Sequence, residues 1–335
     1  MQRNSSDISA PFRSVSRRRF IAIAGAVAGT AMLPGGSVAA APLHRWQGVA
    51  LGADASIQLA HPDRAAAQRL IDDCVAEVRR LERVFSLYDA GSTLAQLNQN
   101  GFVDEPPLEL IELLGRAGDI SELTGGAFDV TVQPLWARYA EHFAQPDADP
   151  AGPNVVDILP LVDWRKVEAR PDRVAFAKPG MGMTLNGIAQ GFITDRIAVL
   201  LKRNGIDQVL VDLGEIRAVG SHPDGRAWQA GINDPERPGK LAGTLDLADR
   251  ALATSGGYGT VFDQAGRISH LLDPRTGKSA AIERSVSVLA KDATTADALS
   301  TAFSLMPDTE INAIAAQLPD IQVYVASGHR LIGKA

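Results

Sequence analysis

The 335-residue sequence has a single cysteine, Cys74, which excludes an internal disulfide and a cysteine-rich metal site. Aromatic residues make up only 5% of the chain, yet 45% is hydrophobic, enough for a substantial core and too apolar for a disordered chain. There is no basic excess: 33 Lys and Arg stand against 39 Asp and Glu, a net charge of −6, which argues against a nucleic-acid partner. Internal repeats, low-complexity tracts, a His-Glu-x-x-His pair and a dinucleotide-type glycine fingerprint are all missing. Two partial motifs also fail. Thr276-Gly277-Lys278-Ser279 ends like a phosphate-binding loop, but Leu272 occupies the place of its first glycine, and Ala253-Thr254-Ser255-Gly256-Gly257 lacks the first glycine of a nucleophile elbow.

What is present begins with a leader pattern. Arg3, Arg13, Arg17, Arg18 and Arg19 precede an apolar, glycine-softened run from Phe20 to Leu33, and Val38-Ala39-Ala40 supplies small residues for cleavage after Ala40. The run is shorter than the ~20 residues of a spanning helix. Ser16-Arg17-Arg18-Arg19-Phe20-Ile21 resembles a twin-arginine export signal; a Sec leader or an uncleaved anchor is the competing reading. The expectation is a twin-arginine signal over 1–40, a periplasmic location and one domain over 41–335. Removing five Arg and one Asp leaves 28 basic against 38 acidic residues, or −10.

Along the mature chain, Trp46 to Leu59 predicts a strand pair. Leu70, Cys74, Val78, Leu81 and Phe85 recur at helical spacing over Asp63–Phe85, so Cys74 is expected in a core stripe and not as a nucleophile. Helices are predicted from Ser92 to Asn98, Pro107 to Thr124, Gly187 to Asn204, Thr294 to Leu305 and Ile311 to Leu318. Strands are predicted at Arg173–Ala177, Gln208–Leu213, Trp228–Ile232, Gly243–Leu247, Leu252–Thr254, Ile268–Leu272, Val286–Ala290 and Gln322–Ala326. Without a regular βαβ alternation, this order indicates an α+β fold, a mixed or antiparallel sheet with helices packed on it.

Three features carry chemistry. Asp297 and Thr301 lie four apart and project from one helix face, where a carboxylate and a hydroxyl are hard oxygen donors suited to Mg²⁺ or Ca²⁺. His270 ends a predicted strand just ahead of Asp273-Pro274, as either a turn-stabilising residue or a general base. Glycines gather at element ends, at Gly187 and Gly191, Gly214, and Gly256-Gly257, where backbone can approach a phosphate or a ring closely. Each feature taken singly also fits ordinary turn or surface chemistry.

Taken in order, the blocks are more specific. They are Phe85-Ser86-Leu87-Tyr88-Asp89 with Ser92–Asn98; Gly125 to Val132; Thr184 to Gly191; Val211 to Arg217; Ala253 to Tyr258; Ser269 to Gly277; and Ala296 to Ala302. Together they resemble the ApbE family of FAD:protein FMN transferases across nearly the whole mature chain. With the leader, they are similar to the periplasmic branch linked to nitrous oxide reduction, often called NosX. The resemblance implies an ApbE-like (T-fold-like) architecture, FAD as FMN donor and Mg²⁺ at its pyrophosphate. It also implies transfer of FMN to a Thr or Ser of an exported or membrane acceptor flavoprotein, a NosR-like electron-transfer protein being the expected one, with release of AMP. By the same resemblance Asp297, Thr301 and the Gly187 carbonyl ligate the metal, and His270 takes the proton of the acceptor hydroxyl. Leu51, Tyr88, Ala127, Phe128, Asp129, Thr184, Gln190 and Leu271 bind the flavin dinucleotide. The chain departs from the family pattern at Thr184 (often Asp), Gln190 (often Lys) and Gly257 (often Asp), and only Gly214 precedes Glu215 where two glycines are usual. An FAD carrier without transfer, or a pyrophosphatase yielding FMN and AMP, uses the same pocket and stays open at this level.

Overall fold

The computed structural model describes residues 41–237, 239–327 and 330–334. The leader and its cleavage site lie outside the described residues. The chain opens with a hairpin, β1 (Leu43–Ala50) and β2 (Ala53–Ala60), followed by α1 (Arg64–Phe85), α2 (Thr93–Asn100), β3 (Phe102–Asp104), α3 (Leu108–Leu123) and α4 (Gln133–Phe143). Next come β4 (Val167–Arg170), β5 (Arg173–Phe176), α5 (Ala189–Arg203), β6 (Val209–Asp212), β7 (Ile216–Val219), β8 (Trp228–Asn233), β9 (Leu241–Leu247) and β10 (Ala251–Gly256). The last elements are β11 (Ser285–Ala290), α6 (Ala293–Phe303), α7 (Asp308–Ala315), β12 (Gln322–Ser327) and β13 (Arg330–Lys334).

Eight strands form the main sheet in the order β1-β2-β6-β7-β10-β11-β12-β13, and every pairing among the described residues is antiparallel. The fold is α+β, as the element order predicted. Helices cover one face of this sheet and the β8–β9 hairpin covers the other. Because side chains alternate along a strand, Ala253 of β10 faces the helical core while Leu252 faces the hairpin, so Ser255 falls on the helical side. That alternation sets one wall of the site.

Local signals account for most boundaries. Asp63 caps α1, its carboxylate accepting the N–H groups of Ala65 and Ala66, and Ser92 caps α2 by accepting from Ala95. The α1 stripe buries Ile71, Cys74, Val78, Leu81 and Phe85. Burial pushes the Cys74 thiol up to about 12, so it is a packing residue with no thiolate character near neutrality.

One predicted strand needs correction. Ile268–Leu272 is not a strand: only the isolated bridges Val261–Ser269 and Leu272–Ser279 form. Asp263 explains this, because its carboxylate takes the N–H groups of Arg267 and Ile268 and bends the chain out of a ladder. Helix α4 and strands β3, β4, β7 and β13 were not anticipated.

The α5–α6 crossing positions α6. A Cβ at Gly191 would lie 2.2 Å from the Ala293 carbonyl oxygen and 2.9 Å from the Asp297 Cβ, so only glycine lets the two helices approach this closely. Gly191→Ala is therefore expected to cost about 3 kcal/mol, the upper end of overpacking penalties, as a lowered denaturant midpoint. An unchanged midpoint would contradict the contact.

Candidate active site

Asp297 is 3% exposed on α6, and its Oδ2 accepts the Gly191 N–H at 3.0 Å. Thr301, one turn on, has its Oγ1 within 3.2 Å of Ser255 Oγ. The position a Cβ would take on Gly187 is 3.0 Å from that Thr301 Oγ1 and 3.4 Å from the Phe128 ring. The expected metal donors Gly187, Asp297 and Thr301 are thus assembled from the α5 entry and α6, with Phe128 beside them.

A hydroxyl lattice stiffens this helix. Ser255 and Ser300 hydroxyls meet at 2.8 Å, Ser300 Oγ donates to the Asp297 carbonyl at 2.9 Å, and Ser304 Oγ donates to the Ser255 carbonyl at 3.3 Å. At the N-terminus of α6, Asp292 caps by accepting the Thr295 N–H, and Asp195 from α5 accepts the Ala293 and Thr294 N–H groups and the Thr294 hydroxyl. Burial raises the Asp195 pKa. Asp195 was not anticipated; its helical spacing alone carries no hint that it reaches a helix some hundred residues later.

His270 is held at two points by the Thr260 carbonyl. Its backbone N–H and its Nδ1 both reach the Thr260 oxygen, at 3.0 and 2.9 Å. Because a carbonyl only accepts, Nδ1 carries the proton and Nε2 keeps the lone pair of a base. Leu271, half-buried, is fixed through Ser269 Oγ and the Ala280 N–H.

The flavin-site expectations divide. Ala127 and Phe128 are buried, and the Thr184 N–H donates to the Val130 carbonyl at 2.8 Å, so the 127–130 and 184–187 segments run side by side. Gln190 Nε2 donates to the Leu213 carbonyl at 3.3 Å and lies 2.4 Å from where a Gly214 Cβ would be, and Gly214 has a φ of +101°. The positive φ favours glycine there, and a side chain would have to push the Gln190 amide aside. Asp129 braces its own loop. One of its oxygens accepts the Thr131 N–H and hydroxyl, and the other accepts the Trp164 N–H. Leu51 sits in the β1–β2 turn with φ +53°, donating to Glu82 of α1, and Tyr88 is 74% exposed on the turn capped by Ser86. A groove of about 530 Å³ runs nearby between Leu87, Asn98, Gln133 and Met181.

Asp212 lies in the Val211–Arg217 block, where the sequence assigns it no role. It is 5% exposed, accepts the Gly214 N–H at 3.1 Å, and burial pushes its carboxyl up to about 6. The folded protein therefore holds a proton that the unfolded chain releases near pH 4, and stability falls as pH rises through about 4 to 6. Asp212→Asn is expected to be more stable than the parent at pH 7.5 by on the order of 1–3 kcal/mol, with the gap closing at pH 4.5. An equal gap at both pH values in urea titrations would refute the buried-carboxylate account.

These blocks align with known proteins. The ApbE family model matches residues 51–325. The chain belongs to the ApbE family. Among its relatives, a protein named FAD:protein FMN transferase from Treponema pallidum is 33% identical over 278 residues, covering 75% of each chain. One of the same name from Haemophilus influenzae is 29% identical over 257 residues, 72% of this chain and 74% of that one. The solved flavin transferase ApbE from Vibrio cholerae superposes with a TM-score of 0.73 at 26% identity, over 88% of this chain and 97% of its own. The ApbE protein from Thermotoga maritima gives the same TM-score and identity, over 88% and 96%.

Among the described residues no trio of His, Cys, Asp or Glu could hold a metal. The buried Asp297 carboxylate, the Thr301 hydroxyl and a backbone carbonyl at Gly187 are hard-oxygen donors, a chemistry that fits Mg²⁺, an ion that keeps several waters and takes substrate phosphates as further ligands.

Proposed function

We propose that this chain is an FAD:protein FMN transferase that acts on FAD and on a hydroxyl of a protein acceptor. The observation that carries the reading is the convergence of Asp297, Thr301 and Gly187 in a chain whose residues 51–325 match the ApbE family. The acceptor Thr or Ser oxygen attacks the FMN phosphorus, a new P–O bond forms, the pyrophosphate P–O bond breaks, and AMP leaves. His270 Nε2 takes the hydroxyl proton, with its ring oriented by the Nδ1–H to Thr260 bond. A Mg²⁺ held by Asp297, Thr301 and the Gly187 carbonyl would supply charge neutralisation at the diphosphate. Phe128 and the 184–187 segment border the place where that diphosphate must lie, and Gln190 offers its amide beside Gly214.

The leader over 1–40 supports export by the twin-arginine route, a periplasmic site of action and a catalytic domain over 41–335, with an exported or membrane electron-transfer flavoprotein of the NosR-like kind as acceptor. Among the described residues no helix is long and apolar enough to cross a membrane. The deciding experiment mixes mature protein, FAD, Mg²⁺ and an acceptor domain bearing a threonine, then weighs the acceptor and assays AMP. One FMN added per AMP released is expected. AMP without modified acceptor would make the protein a pyrophosphatase, and bound FAD with neither product would make it a carrier.

A further inference from the structure

Where β10 packs on α6, Ser255, Ser300 and Thr301 bring three hydroxyls together. Ser255 Oγ lies 2.8 Å from Ser300 Oγ and 3.2 Å from Thr301 Oγ1, and Ser300 Oγ lies 2.9 Å from the Asp297 carbonyl oxygen. Ser255 is 8% exposed and Ser300 1%, whereas Thr301 is half-buried. Hydroxyls this deeply buried find their partners inside the protein. The Ser304 hydroxyl is turned to the backbone carbonyls of Ser255 and Ser300 and does not enter the chain.

The proton count gives this chain one direction. A hydroxyl has a single proton to donate, and a carbonyl has none. The link to the Asp297 carbonyl therefore uses the Ser300 proton. Ser300 Oγ must then accept from Ser255, and Ser255 Oγ, its own proton committed, must accept from Thr301. All three contacts are hydrogen bonds at once only in this sense. The Thr301 proton is thus turned onto Ser255, and the Thr301 oxygen keeps its lone pairs for a cation.

We infer that Ser255 is a positioning residue, which holds the Thr301 hydroxyl as a lone-pair donor toward the divalent cation. The inference rests on the reading that Thr301 belongs to the cation site. Without Ser255 the Thr301 hydroxyl is free to rotate and to present its proton to that site, where it repels a cation. Groups that orient a ligand in this way commonly change metal affinity by about ten- to a hundredfold. Because the chain begins at Thr301 and ends on the Asp297 carbonyl, Ser255 also ties both α6 donors to β10.

The test is a double-mutant cycle read by Mn²⁺ binding, with free Mn²⁺ followed by electron paramagnetic resonance in the mature protein with FAD and no acceptor. Thr301→Val removes the hydroxyl and is expected to weaken Mn²⁺ binding at least about tenfold. Ser255→Ala is expected to weaken it about tenfold in the parent and less than about twofold in Thr301→Val. Ser300 reaches Thr301 through Ser255, and its removal frees the Ser255 proton to turn back onto Thr301. Ser300→Ala is therefore expected to weaken Mn²⁺ about threefold in the parent and not in Thr301→Val. A serine that only packs α6 would cause the same loss in both backgrounds. Equal losses, or unchanged affinity in Ser255→Ala, would overturn the inference. Should Ser255→Ala fail to fold, the Ser300→Ala pair decides by the same criterion. Loss in Thr301→Val without loss in Ser255→Ala rejects the positioning role alone and leaves the cation site standing. Unchanged affinity in Thr301→Val removes Thr301 from the cation site, and the role of Ser255 with it.

Discussion

Asp297→Asn is expected to lower the rate of FMN transfer at least about a thousandfold at saturating FAD, equivalent to roughly 4 kcal/mol of transition-state stabilisation. The amide is nearly the same size as the carboxylate and can present its oxygen to the Gly191 N–H, so the close contact of α5 with α6 survives. What disappears is the negative charge of the proposed site, whose other proposed donors, the Thr301 hydroxyl and the Gly187 carbonyl, are neutral oxygens. A hard divalent cation depends on that charge. Chelation of the parent protein should produce the same loss, and excess Mg²⁺ should restore the parent but not the variant. The measurement is the initial rate of acceptor modification by mass across a Mg²⁺ titration, with a denaturant midpoint to show that the variant is folded. If Asp297→Asn keeps more than a tenth of the parent rate at saturating Mg²⁺, the carboxylate is a packing group and the metal lies elsewhere.

That carboxylate is legible in the amino-acid sequence, because Asp297 and Thr301 share a helix face by spacing alone. The stripe of α1 and the Ser92 cap are legible for the same reason: their signals are local. Helix α4 is not, since its buried residues reduce to Leu135 and Tyr139, and Pro134 at its start serves a turn equally well. Strand β7 follows directly on Gly214 and Glu215, and it is nearly buried on both faces, which erases the alternation that marks a half-exposed strand. In the site, the approach of Gly187 to Thr301, the grip of Asp195 on α6 and the buried Asp212 all join residues far apart in sequence or depend on burial. No spacing rule reaches them. Asp129 illustrates a further gap. The family resemblance places it at the flavin, and nothing in its local sequence shows that its three accepted hydrogen bonds clamp the Phe128 loop against Trp164.

His270→Ala is expected to reduce transfer about a hundred- to ten-thousandfold, the usual span for removing a general base. FAD binding should be little changed, because the substitution removes the proton acceptor and leaves the Asp297–Thr301–Gly187 cluster intact. The reasoning rests on which nitrogen holds the proton. Thr260 supplies a carbonyl to Nδ1, which fixes the tautomer and turns Nε2 into the acceptor. A second variant separates base from prop. The side-chain amide of His270→Asn can still donate a hydrogen bond, but it cannot take a proton near neutrality. If His270 is the base, Asn should be as slow as Ala, and the acid limb in the pH profile of kcat/KM should vanish in both. If Asn recovers most of the rate, the imidazole only positions the 260–271 segment, and the hydroxyl proton must leave by another route.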